Sequence, residues 1–126
     1  MAFLDDMRDL IVNDASIAAR YGNRIYFQLL PGEICKEDQW MRWGFTKVSD
    51  TACMGGGTAF TTYNVFFDLI SKNINDLPVM GDEVIANLNN ASYNGIRNLL
   101  YQSDVYSNYE EKELYVHSLN FIAQHK

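Results

Sequence analysis

Residues Phe60 to Ser71, FTTYNVFFDLIS, alternate so regularly that they admit little besides an extended strand with one buried face. Thr61, Tyr63, Val65, Phe67 and Leu69 fall on one side; Phe60, Thr62, Asn64, Phe66 and Asp68 fall on the other. Successive side chains of a strand point to opposite faces, and β-branched and aromatic residues suit a half-buried pleat. A helix would scatter the same residues around its axis. Such a strand cannot stand alone, so others must pair with it and another layer must cover its apolar face.

Candidates for that sheet lie on both sides. Arg24 to Leu30, RIYFQLL, is β-branched and aromatic and is stopped by Pro31-Gly32. A polar loop with Glu33, Lys36, Glu37 and Asp38 leads to Trp40–Ser49, where Met41, Trp43 and Phe45 alternate with Arg42, Gly44 and Thr46. A loop over Asp50–Ala59 then enters the central strand, and a turn at Asn73–Pro78 leaves it. Further strands are expected at Ile96–Val105 and Glu113–Ala123, with a polar connection at Tyr106–Lys112.

Helices supply the covering layer. Phe3, Leu4, Met7, Leu10 and Ile11 form one stripe on a 3.6-residue period, with Asp5, Asp6 and Asp9 off it, near the positive end of the helix dipole. Asp14 suits an N-cap for a short helical turn through Ile17, Ala18 and Tyr21, which Gly22 closes. A later stripe of Val79, Met80, Val84, Ile85 and Leu88 follows Asp76 as cap, with Pro78 in the first turn and Asn89-Asn90 at the end. The order α-β-β-β-α-β-β predicts a single α+β domain over residues 1–126. Its largely antiparallel sheet of four to five strands is packed by two or three helices.

Composition narrows the function. A chain of 126 residues can bury roughly two-thirds of its unfolded surface. No run approaches the roughly 20 apolar residues of a membrane span, and acids stand near the start where a signal peptide carries basic residues. The net charge of −6, with Lys and Arg scattered, opposes sequence-independent binding to a phosphate backbone. Cys35 and Cys53 read as two reduced thiols, a disulfide being the lesser alternative.

Catalytic chemistry finds little support. Gly55, Gly56 and Gly57 precede a strand and no lysine follows until Lys72, so they suit a hairpin tip better than a phosphate loop. Neither cysteine has a histidine in its local sequence, and His117, central in the last strand, reads as structural. No Cys or His pair has metal-ligand spacing. The acid pairs Asp5/Asp9, Asp82/Glu83 and Glu110/Glu111/Glu113 are local clusters on helix starts and a connection, not a shared cleft. No catalytic, cofactor-binding or metal-binding residue is assigned, and the chain is not expected to be an enzyme.

The aromatic content points elsewhere. The chain holds 8 Tyr, 7 Phe and 2 Trp, more than one small core absorbs. Trp40 and Trp43, three apart, face opposite sides of a strand. Tyr101, Tyr106 and Tyr109 crowd the C-terminal strands and their connection. Tyrosine offers contact area at small entropic cost and is enriched in interfaces. Together with Trp40, Trp43 and the glycine tip at Gly55–Gly57, these three are the candidate interface residues.

In this order of elements the sequence resembles the tail completion, or tail terminator, family of tailed bacteriophages. The resemblance runs from LDDMRDLIVNDASIAARYG into NRIYFQLLPG, resumes in FTTYNVFFDLISKN and DLPVMGDEVIANLNN, and ends in ELYVHSLNFIAQ. The junction from the N-terminal helix into R-I-Y and then Pro-Gly is its most specific part. The resemblance implies a virion protein, assembled in the bacterial host cytoplasm, that caps the head-proximal end of a tail. It implies a ring of copies, six in the usual case, between the tail tube protein and a head-closing or connector protein. DNA would pass through without specific binding, and Asp5, Asp6 and Asp9 are candidate lumen-facing acids that would repel phosphate. No cofactor and no membrane are implied. The alternatives are another neck or tail component, such as a head-closing adaptor or minor tail protein, and a small cytosolic ligand-binding domain.

Overall fold

The computed structural model describes residues 2–22, 24–27, 39–52, 58–109 and 114–125. Two N-terminal helices, α1 (Ala2–Val12) and α2 (Ala15–Tyr21), precede β1 (Ile25–Phe27), β2 (Gln39–Ala52) and β3 (Thr58–Ser71). A 3-10 turn at Ile74–Asp76 leads into α3 (Leu77–Leu88), then β4 (Ala91–Tyr93), β5 (Ile96–Tyr109) and β6 (Leu114–His125).

The expected fold is corrected here. The strands form one mixed six-stranded sheet in the order β1-β2-β3-β6-β5-β4, with three helices, instead of four to five largely antiparallel strands in the order α-β-β-β-α-β-β. Two causes are physical. β1 runs parallel to β2, with Ile25 opposite Met41, because the connection between them is too long for a tight hairpin. β4 has three residues, too few to show a period, and turns into β5 through Asn94-Gly95 with Asn94 at a φ of 50°. The remaining pairs, β2 with β3, β3 with β6, β6 with β5 and β5 with β4, are antiparallel.

The helices cover one face. Phe3, Met7 and Ile11 of α1 meet Val65, Phe67 and Leu69 of β3 and Leu119, Phe121 and Ala123 of β6 in one buried cluster. Phe3 stacks on Tyr63 at 3.8 Å between ring centroids, and Phe67 meets Phe121 edge-on at 5.3 Å. The face of β3 carrying Tyr63, Val65, Phe67 and Leu69 is thus the core face that its alternation requires. In α3 the buried stripe is Leu77, Met80, Gly81, Val84 and Leu88, whereas Val79, expected within it, is 57% exposed.

Local signals explain most of the helix ends. Asp14 accepts from the N–H groups of Ser16 and Ile17, and Gly22 takes a φ of 55° behind Tyr21. Asp76 does not cap α3 through its side chain. Its carboxylate instead accepts from Gln39 Nε2 at 3.0 Å and Ser71 Oγ at 3.4 Å, tying the start of β2 to the end of β3.

Gly81 tests the fit of α3 against the sheet. Alanine there would gain up to about 1 kcal/mol of helix propensity. Its β-carbon would also lie 2.5 Å from Nδ1 and Cε1 of His117, a ring held on its other sides by Asp104 and a stacked Tyr106. Overpacking costs about 1–3 kcal/mol, so the clash wins. Gly81→Ala should lower the denaturation midpoint; an unchanged or raised midpoint would contradict this packing.

Candidate functional site

The sheet is finished unevenly at its two edges. β2 has 14 residues, but β1 pairs with it only over Met41–Trp43. β5 also has 14, and β4 pairs with it only between Ile96 and Leu99. Among the described residues, the outer edge of β5 from Leu100 to Tyr109 therefore has no neighbouring strand. Unpaired edge N–H and C=O groups are a template for another chain. Along β5 the side chains of residues 102–107 are all exposed, with Val105 at 56% and Tyr106 at 50%.

A polar cluster stiffens the open part of β5. Asp104 accepts from Tyr101 Oη at 2.7 Å and faces His117 Nε2 at 2.6 Å, where the ring donates. Tyr106 stacks on that ring at 4.0 Å. The bonds from His117 and then Tyr101 hold the Asp104 carboxyl below the usual carboxylate range, while the bond to Asp104 raises the Tyr101 phenol. His117 Nδ1 is buried against Gly81 without a partner, so the ring does not present a base to solvent. This arrangement is an anchor for an edge strand, in keeping with the structural role read for His117.

Two further carboxylates lock the sheet. On the face away from the helices, Asp68 accepts from Arg42 on β2, whose Nε lies 3.0 Å away, and from Ser118 Oγ on β6 at 2.7 Å. The three residues are register partners, so one buried carboxylate joins three adjacent strands. On the helix side, Asp6 faces His125 Nε2 at 2.8 Å and accepts from Asn94 Nδ2 and the Gly95 N–H. The bond from His125 is the main cause that lowers the Asp6 pKa.

The residues named from sequence fall in different places. Trp40 and Trp43 do face opposite sides of β2, and both are buried within the single chain. Trp43 joins the helix-side core; Trp40 packs with Ile70, Leu114 and Val116 on the other face. Tyr101 and Tyr106 are brought together around Asp104, and Tyr109 is the last residue of β5. Asp5 is exposed and Asp9 half-buried on α1, while Asp6 is engaged by His125. Gly55, Gly56 and Gly57, with Cys35 and Cys53, lie outside the described residues. Sequence reading passed over Asp104, Asp68 and Arg42. An acid inside the apolar run VFFDLI was the available sign that a buried partner was needed.

Among the described residues no three His, Cys, Asp or Glu side chains come together as a metal site, and no helix is long and apolar enough to cross a membrane. A cleft of about 450 Å³ beside Arg24, Gln39, Ser71 and Asp76 is occupied at its polar wall by the bonds already described.

The chain shares its fold with a component of a virion. Over 96% of its length it superposes, at a TM-score of 0.73 and 17% identity, on 92% of a chain in the virion of a native gene transfer agent particle. No family model matches the sequence, and no curated protein does.

The carboxylate anchors make a pH prediction. Asp6 and Asp104 have folded-state values below their ordinary 3.8. The unfolded chain therefore binds more protons near that pH. Their stabilisation is complete above about pH 4 and is lost as pH falls through the depressed values. Urea melts between pH 2 and 5 should show a shallower fall in stability for the double variant Asp6→Asn, Asp104→Asn; an unaltered slope would contradict the assignment.

Proposed function

We propose that this chain is a structural virion protein that forms a ring at the head-proximal end of a phage tail. There it terminates the tail tube and joins it to the neck. The observation that carries the reading is a fold shared with a gene transfer agent virion chain, on which, among the described residues, the outer half of β5 is an open sheet edge. A monomer leaving such an edge bare would risk uncontrolled association, and contact with a neighbouring copy in a closed ring would cover it. The side chains near that edge are interface-like, with exposed Val105 and Tyr106.

Placement at the tail terminus rests on the resemblance of LDDMRDLIVNDASIAARYG-NRIYFQLLPG and the closing strand to tail terminator proteins. The partners in this reading are further copies of the chain, six in the family's usual ring, the tail tube protein and the head-closing protein. The net charge of −6 suits a ring through which DNA slides without being held. Catalysis has no part in it, since the buried carboxylates and histidines are spent on holding strands.

Interrupting the reading frame in a producing host should yield filled heads beside unattached tails of uncontrolled length under negative stain. Intact infectious particles would refute the assembly role. Tails of normal length that fail to join heads would favour a head-closing adaptor instead.

A further inference from the structure

The turn between β4 and β5 holds a chemically fragile pair that its surroundings require. Asn94-Gly95 is the one Asn-Gly step in the sequence. Asn94 takes a φ of 50°, a region that glycine and asparagine enter more readily than other residues. At position 95 a β-carbon would lie 2.5 Å from Nε2 and 2.8 Å from Cε1 of His125. That ring is held by Asp6 and by Phe3, edge-on at 5.5 Å, so it has little room to give way. Asparagine before glycine is also the pair that closes on itself most readily, because no β-carbon hinders the second nitrogen as it nears the side-chain amide.

We infer that Asn94 is a deamidation site held closed by Asp6 of α1. In the reaction the Gly95 nitrogen gives its proton to solvent base and bonds to Asn94 Cγ. The Cγ–Nδ2 bond breaks, and Nδ2 leaves as ammonia with a proton taken from water. Water then opens the succinimide at either carbonyl, leaving aspartate or isoaspartate at position 94. Asn94 is exposed, so water reaches every step.

Asp6 opposes ring closure in two ways. Its Oδ2 accepts from the Gly95 N–H at 3.4 Å and its Oδ1 from Asn94 Nδ2 at 3.2 Å. One carboxylate thus holds the attacking and the leaving nitrogen side by side, and Asn94 cannot swing Cγ onto the Gly95 nitrogen without breaking a bond. Negative charge developing on that nitrogen, or on the amide oxygen, would also stand beside a carboxylate, and like charges so close disfavour each other. His125 Nε2, at 2.8 Å, fixes the carboxylate in place and lowers its pKa, so Asp6 is anionic where ring closure runs. The change runs one way. A carboxylate at position 94 would face Asp6 where a donor now stands, and isoaspartate would lengthen the main chain in a turn whose strand β4 pairs with β5 only through Ala91 and Tyr93. Either product weakens the tie of α1 to this end of the sheet.

The test is incubation of the purified chain in mildly alkaline buffer, followed by digestion and mass spectrometry that locates aspartate and isoaspartate at position 94. Folded wild type should convert far more slowly than the same chain in urea. Asp6→Asn should convert about tenfold faster than folded wild type, the factor that a like charge 3.4 Å away imposes even in water-like surroundings. Asp104→Asn removes a comparable anchor elsewhere on β5 and should leave the rate unchanged. Equal rates for wild type folded and in urea, or an unchanged rate in Asp6→Asn, would overturn the proposal. So would an equal rise in Asp104→Asn, which would assign the protection to general rigidity. Circular dichroism verifies the fold of each variant, and Asp6→Ser replaces Asp6→Asn if that variant unfolds.

Discussion

Backbone pairing is the constraint on which this molecule depends. Every buried N–H and C=O needs a partner, and a sheet satisfies them only where a neighbouring strand lies alongside. Here the four long strands satisfy one another through β2–β3, β3–β6 and β6–β5, while the edge strands β1 and β4 satisfy a few residues each. Solvent can hydrate the rest, but a regular bare edge is the feature natural proteins shorten, charge or cover. Among the described residues the outer half of β5 has no neighbouring strand, and its exposed stretch 102–107 carries a single charge, Asp104, already bound to His117 and Tyr101. In the ring proposed above, a neighbouring copy would cover this edge.

The anchors are consistent with that demand. Each ties elements distant in sequence through one carboxylate: Asp68 joins β2, β3 and β6, Asp104 joins β5 to β6, and Asp6 joins α1 to the β4–β5 turn and the end of β6. Buried or half-buried charges of this kind are weak sources of net stability, because desolvation offsets much of the attraction. Their use is to fix register. A one-residue slip would separate Arg42 from Asp68 and Asp68 from Ser118 and turn every core side chain outward. In the proposed ring, fixed register would hold the β5 edge of every copy at one height.

Much of the core was legible in the sequence, and the edges were not. The alternation in Phe60–Ser71, the stripe of Phe3, Met7 and Ile11 and the Asp14 cap each encode burial or a local bond, so each could be read directly. Tyr106–Lys112 resembled a polar connection because residues 102–107 of β5 are exposed, and a strand with no buried face leaves no apolar period. β4 escaped through its three-residue length, although Asn94-Gly95 before Ile96 was a readable turn. The last strand alternates poorly because Leu114 and Val116 pack in the small cluster around Trp40 while Leu119 and Phe121 face the helices. The candidate site was half visible: Tyr101 and Tyr106 stood out by residue type. The pairing of Asp104 with His117 is a long-range contact that spacing alone does not encode.

The central claim is the proposal that copies of this chain form a ring at the head-proximal end of a phage tail. Electron cryomicroscopy of the particle, at a resolution that separates strands about 4.8 Å apart, tests it most directly. The account predicts a closed ring of copies of this fold at the head-proximal end of the tail, with the outer half of β5 covered by a neighbouring copy. Absence of the chain from that end of the tail, or copies there that form no closed ring, would contradict it.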